Sequence, residues 1–270
     1  MSGRPDSVAR PCAGEGRSIV RDGRRIGYWL RGTGPAIVLL SNLGREASDF
    51  NELTDTLSAD HRTIAVDPPG IGESDLPAGP VSLFDLAEDV AAVIRAERAG
   101  PAVLIGHAFG NRLARATAAR HPDAIDRLIL MAAGGKYPVP GLAFEALLGC
   151  FNTDQPAEEH FLCVAYAFFA DGNAVPDHWR RGWHPATARV QGAAVRATRV
   201  EDWWHGGGRP MLVIQGESDR IAPRAESADI LAADFPERVT VTQIARAGHA
   251  LLPEQPAAIA KAVSAFLPPS

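Results

Sequence analysis

Ala102-Val103-Leu104-Ile105-Gly106-His107-Ala108-Phe109-Gly110 joins an apolar run to a helical pattern through a turn framed by two glycines. Four consecutive apolar residues fit a strand buried on both faces. The helix expected next, Gly110 to Arg120, carries Ala114, Ala116, Ala118 and Ala119, small residues that permit close packing. A buried strand running directly into a helix is the repeating unit of a parallel sheet covered on both sides.

The same unit recurs in both directions along the chain. Upstream, Ser18 to Arg31 reads as a hairpin about Asp22-Gly23. Ala36 to Leu40 is apolar at every position, as a fully buried strand requires. A helical pattern over Ser48–Leu57, a strand over Arg62–Val66 and a helix over Ser82–Arg98 follow. In that last helix Leu83, Leu86, Val90, Val93 and Ile94 form one stripe. Downstream, a strand is expected over Arg127–Ala132. The rhythm then stops at Gly134-Gly135 and resumes with a strand at Met211–Ile214, a helix at Arg224–Ala233, a strand at Val239–Ile244 and a helix at Glu254–Phe266. The expected fold is therefore α/β, a mostly parallel sheet with helices on both faces. Residues 18–133 and 209–270 form its core, residues 134–208 a helical insertion, and residues 1–17 a mobile tail.

Composition narrows the function classes. The 270 residues are 46% hydrophobic and 22% charged, with a net charge of −5 and no long basic run. A disordered chain is excluded, and neither a nucleic-acid nor an anionic-membrane partner is expected. Cys12, Cys150 and Cys163 form no C-x-x-C pair, so neither a disulfide framework nor a structural zinc site is suggested. No stretch reads as a signal peptide or membrane span, which points to a cytoplasmic protein. His178, His184 and His205 lack metal-ligand spacing, and no dinucleotide or phosphate loop follows the first strand; no metal or cofactor is expected. The oligomeric state is not legible.

In such a sheet, ligands bind beyond the carboxyl ends of the strands. Four loops there could carry chemistry. Gly106-His107-Ala108-Phe109-Gly110 has the form of a sharp strand-to-helix elbow whose central side chain projects over the helix N-terminus, although an ordinary tight turn would also use two glycines. Asp219, after the Met211 strand, could orient an imidazole, or merely cap a turn. His249, after the Val239 strand, could serve as general base and acid, or be solvated. Asn42 and Leu43, after the Ala36 strand, could help bind a developing oxyanion together with the Phe109 N–H.

Elbow, then acid, then histidine is the chain order of the α/β-hydrolase triad. With these loops, Asp67-Pro68-Pro69-Gly70-Ile71-Gly72-Glu73-Ser74-Asp75 and Ile214-Gln215-Gly216-Glu217-Ser218-Asp219 make the chain resemble the α/β-hydrolase superfamily from about Ser18 to Leu267. The resemblance implies that Asp219 and His249 are acid and base, and that the insertion is a cap. The Ser41-Asn42-Leu43-Gly44 loop departs from the family's usual His-Gly and is similar to that of enol-lactone hydrolases, which implies a small ester or lactone substrate.

The second departure is Ala108, which stands where the family places a serine. Three readings stay open. The first is a serine replaced by engineering; the second is a native alanine, with His249 and Asp219 activating water or moving protons in a cofactor-independent, non-hydrolytic reaction; the third is a ligand-binding pseudoenzyme. Within the insertion, Phe168, Trp179, Trp183, Trp203 and Trp204, with His107 of the elbow, are the candidate substrate contacts, and they suit a small, largely hydrophobic molecule. Packing of the cap onto the core is the other use for such aromatics.

Overall fold

A computed structural model describes residues 7–268. Its sheet has eight strands in the order β1-β2-β4-β3-β5-β6-β7-β8. These are β1 (Glu15–Arg21), β2 (Arg24–Arg31), β3 (Ala36–Leu40), β4 (Arg62–Val66), β5 (Ala102–His107), β6 (Ile125–Met131), β7 (Met211–Gly216) and β8 (Val239–Ile244). The β1–β2 and β2–β4 pairs are antiparallel and the rest parallel. Asp22 and Gly23 both take positive φ (50° and 76°), as a two-residue hairpin turn requires.

The all-apolar strands are buried on both faces because helices cover each side. Val38, Leu40, Ile64 and Leu104 point toward α2 (Leu83–Ala96) and α3 (Phe109–Arg120), with α8 (Ala228–Asp234) on the same side. Ile37, Leu39, Val103 and Ile129 point toward α1 (Asn51–Leu57) and α9 (Pro256–Phe266). Ser82 starts α2 with a capping box, its hydroxyl accepting from the Asp85 N–H while the Asp85 carboxylate accepts from the Ser82 N–H. The connection between β6 and β7 carries α4 (Gly141–Gly149), α5 (Ala157–Phe168), α6 (Pro185–Arg196) and the short α7 (Glu201–Trp204). Part of it has its own apolar centre, built on Cys150, Val164, Phe168, Phe169, Trp179 and Trp183.

Residues 7–17, read from the sequence as part of a mobile tail, make defined contacts. Residues 1–6 lie outside the described residues. Residues 15–17 begin β1, and the Ala9 N–H donates to the Glu46 carboxylate at 3.1 and 3.2 Å. Arg10 bonds Glu52 and the Ser48 carbonyl, and the Ala13 N–H donates to Asn51 Oδ1 at 2.8 Å. These ties are backbone-to-side-chain and ionic, so they leave no hydrophobic period for sequence reading to find. Among the described residues no helix is long and apolar enough to cross a membrane.

Candidate active site

The parallel strands deliver four loops to one edge of the sheet. At the end of β5, Ala108 has φ 47° and ψ −103°, a conformation that alanine rarely adopts. The elbow exists because its neighbours carry no Cβ: one added at Gly110 would stand 1.9 Å from the Leu40 carbonyl oxygen, and one at Gly106 2.3 Å from that of Gly110. The strain is held by the packed strand and helix, the Ala108 N–H donating to the Met131 carbonyl at 2.9 Å. The Phe109 N–H, first in α3, has no acceptor among the described residues, as the end of a helix leaves it.

Asp219 and His249 meet from the ends of β7 and β8. His249 Nδ1 lies 2.9 Å from both Asp219 carboxylate oxygens, and His249 Nε2 has no partner among the described residues. Asp219 also accepts from the Ile221 and Ala222 N–H groups at 3.0 and 2.8 Å, and from Gln215 Nε2 at 2.8 Å. Four donors saturate the carboxylate and hold the imidazole with its Nδ1 proton inward.

Ala108, His249, Asn42, Leu43, Phe109 and Arg112 line one cavity of about 490 Å³, together with Tyr137, Val139, Phe144, Leu147 and Val195. The Asn42 side chain, 2% exposed, turns Oδ1 toward the Leu43 N–H (2.6 Å) and leaves Nδ2 buried with no partner. Of the expected oxyanion donors, the Leu43 N–H is bonded to Asn42 Oδ1, while Asn42 Nδ2 and the Phe109 N–H have no acceptor among the described residues.

The expected substrate contacts fare differently from the dyad. None of His107, Phe168, Trp179, Trp183, Trp203 or Trp204 lines this cavity. Trp179 and Trp183 stack on the Arg45 guanidinium at 4.4 and 4.7 Å, and Trp203 and Trp204 on that of Arg115 at 4.7 and 4.5 Å. Both arginines are fully buried, and the indole faces replace part of the water they lose. Phe168 meets the edge of the His249 ring, with centroids 5.4 Å apart. His107 Nε2 donates to the His249 carbonyl at 2.7 Å, tying the histidine loop to the elbow.

Sequence reading missed Glu254 and Gln215. Glu254 accepts from the N–H groups of Gly248, Leu251 and Ala170, binding the histidine loop to the segment after α5. A glutamate five residues past a histidine carries no pattern that announces this. Gly248 allows the contact, since a Cβ there would stand 2.6 Å from the Phe168 carbonyl oxygen. Among the described residues no group of three His, Cys, Asp or Glu side chains could hold a metal ion.

Burial pushes His107 down to about 4, with the nearby His249 adding to it, and pushes His160 down to about 4, with Arg45 adding to it. An unfolded histidine titrates near about 6.5. Between those values the unfolded chain binds more protons, so the stability these groups contribute is complete above pH 6.5 and lost as the pH falls toward 4. Asp67 opposes them: burial raises it to about 6, so its contribution is greatest at low pH and lost as the pH rises through 6. Two histidines against one carboxylate leave the first trend dominant. The melting temperature is expected to fall between pH 7 and pH 5, and His160→Phe to flatten that fall; an unchanged slope in calorimetry would contradict it.

The family model for the alpha/beta hydrolase fold matches residues 35–256, and the chain belongs to that family. Over 253 residues it is 26% identical to a 2-(acetamidomethylene)succinate hydrolase of Mesorhizobium japonicum, covering 88% of this chain and 89% of the relative. Over 275 residues it is 29% identical to a 2-hydroxymuconate semialdehyde hydrolase of a Pseudomonas species, covering 93% of each. Among solved structures, a bacterial membrane phospholipase A superposes with a TM-score of 0.80 at 22% identity, over 93% of this chain and 85% of that one. A meta-cleavage product hydrolase from Pseudomonas fluorescens gives 0.76 at 24% identity, over 93% and 97%. At these identities the structures share the fold.

Proposed function

We propose that the chain hydrolyses a small, largely hydrophobic ester or lactone, with residues 134–208 acting as a cap over the site. The observation that carries this reading is the His249–Asp219 pair at 2.9 Å on a cavity that Asn42, Ala108 and Phe109 also line. A water seated against the Ala108 methyl group gives its proton to His249 Nε2, and the hydroxide attacks the substrate carbonyl carbon. The negative charge that develops on the carbonyl oxygen is met by Asn42 Nδ2 and the Phe109 N–H. Collapse breaks the bond to the alkoxy oxygen, which takes the proton back from His249, and Asp219 stabilises the imidazolium in between. The products are an acid and an alcohol, or one hydroxy acid from a lactone.

The reading is supported by the hydrolase relatives that span the chain. It is tested by incubating the purified chain with short aryl esters and γ-lactones and following products by mass. Turnover should fall about 10²–10⁴-fold in His249→Ala, the usual contribution of a positioned base. Equal turnover in both proteins would overturn it. Because Ala108 offers no nucleophile, a cofactor-independent proton transfer is the second reading; a substrate that isomerises or exchanges a C–H proton without gaining water would select it.

A further inference from the structure

We propose that Arg112 is the anchor for a carboxylate on the substrate, so that the molecule hydrolysed is an anionic ester or lactone rather than a neutral one. This rests on the hydrolytic reading of the same cavity and adds the substrate's charge to it.

Arg112 lies on α3 four residues after Ala108, one helical turn along, and it lines the cavity beside Ala108, Phe109 and His249. Among the described residues its guanidinium makes no hydrogen bond, ion pair or ring contact. Two fully buried arginines of the fold show what is missing. Arg45 has the Asp49 carboxylate on two of its nitrogens (2.8 and 2.6 Å) and two indole faces. Arg115 has the Asn111 and Gly134 oxygens and two more indoles. Arg112 has none of these, and its charge adds to that of Arg115: a Cβ placed on Gly135 would lie 3.5 Å from Arg112 Nε and from Arg115 Nη2. Burial pushes the Arg112 guanidinium below its ordinary value, the direction expected of a cation with no partner.

Among the described residues no carboxylate forms an ion pair with this cation. Arg196 and Glu226 line the cavity and are both exposed. Asp219 is committed to His249 and three other donors. A five-donor planar fork beside an apolar wall is complementary to a carboxylate at the end of a short hydrocarbon chain. The helical rise from Ala108 to Arg112 is about 6 Å, so that carboxylate is held several bonds from the scissile carbonyl.

The experiment compares the monophenyl ester of adipic acid with phenyl 6-methylheptanoate, a neutral ester in which an isopropyl group replaces the carboxylate. The native chain is expected to favour the anionic ester in kcat/KM by about 10²-fold, and Arg112→Met to abolish that preference, with Arg112→Lys retaining part of it. Adipate itself, titrated by calorimetry, should bind the native chain and lose about 10²-fold in affinity with Arg112→Met. Absence of any preference in the native chain, or a preference that survives Arg112→Met, overturns the proposal, and the first result does not depend on any variant folding. If neither ester is hydrolysed but adipate binds in an Arg112-dependent way, the anchor stands and the hydrolytic reading falls. If both esters are hydrolysed equally and adipate does not bind, the hydrolytic reading stands and the anchor falls.

Discussion

Ala108→Ser is expected to turn the chain into an enzyme that acylates itself, with a burst of one leaving group per site on an activated aryl ester and a steady rate about 10²–10⁴-fold above that of the native chain. The position is prepared for it. The backbone at residue 108 already holds the strained elbow geometry (φ 47°, ψ −103°) that projects the side chain into the cavity. His249 Nε2 is without a partner there, and Asp219 fixes the tautomer that leaves it free to accept. A hydroxyl at this point would give its proton to Nε2 as its oxygen attacks. In an intact triad, loss of the serine leaves only about 10³–10⁴-fold acceleration over water, from the oxyanion donors and binding. Restoring it should therefore recover several powers of ten. Intact-protein mass spectrometry after brief ester exposure would show the acyl group, and a second change, His249→Ala, should remove it. A chain that stays unacylated and shows no burst would mean that the imidazole does not reach the bend, and the site assignment would fail.

Asp49→Ala is expected to lower stability by about 3–5 kcal/mol, the usual result of leaving one charge of a buried pair uncompensated. Arg45 and Asp49 side chains are 0% and 1% exposed and their oxygens and nitrogens meet at 2.6 and 2.8 Å. With Asp49 gone, Arg45 keeps the Arg181 and Gly182 carbonyls and two indole faces, none of which carries a full negative charge. For a chain of this size the melting temperature should drop by about 10 °C. The paired replacement Arg45→Met with Asp49→Leu should recover most of the loss, because it removes both desolvation costs at once. A single variant that melts within about 2 °C of the native chain would show that the indoles alone balance the guanidinium. The effect should reach the site as well, since Ser41 Oγ, at the start of the Asn42 loop, donates to the Arg45 carbonyl at 3.0 Å.

The dyad was legible because its two members close adjacent strands. Asp219 and His249 each follow an apolar run by a few residues, and parallel strands deliver such loops to the same edge of a sheet. The elbow was legible because only glycine tolerates its neighbours' approach. The tryptophans were not. A large aromatic in an insertion looks the same in sequence whether it faces a ligand or a guanidinium, and here four of them face Arg45 and Arg115. The oxyanion loop was half legible: Asn42 was in the expected place, but whether its amide or the Leu43 N–H points inward depends on one hydrogen bond between them.

Strand and helix identity, their alternation, the turn at Asp22-Gly23 and the order of the chemical loops were all contained in local pattern, because periodicity and turn chemistry act over a few residues and survive in the unfolded chain as propensity. Partnership was not. That Glu254 grips the histidine loop, that residues 9 and 10 are tied to Glu46 and Glu52, and that Arg112 faces the cavity with no partner among the described residues are facts about groups distant in the chain. They come into being only when packing brings those groups within hydrogen-bond reach and removes the water between them.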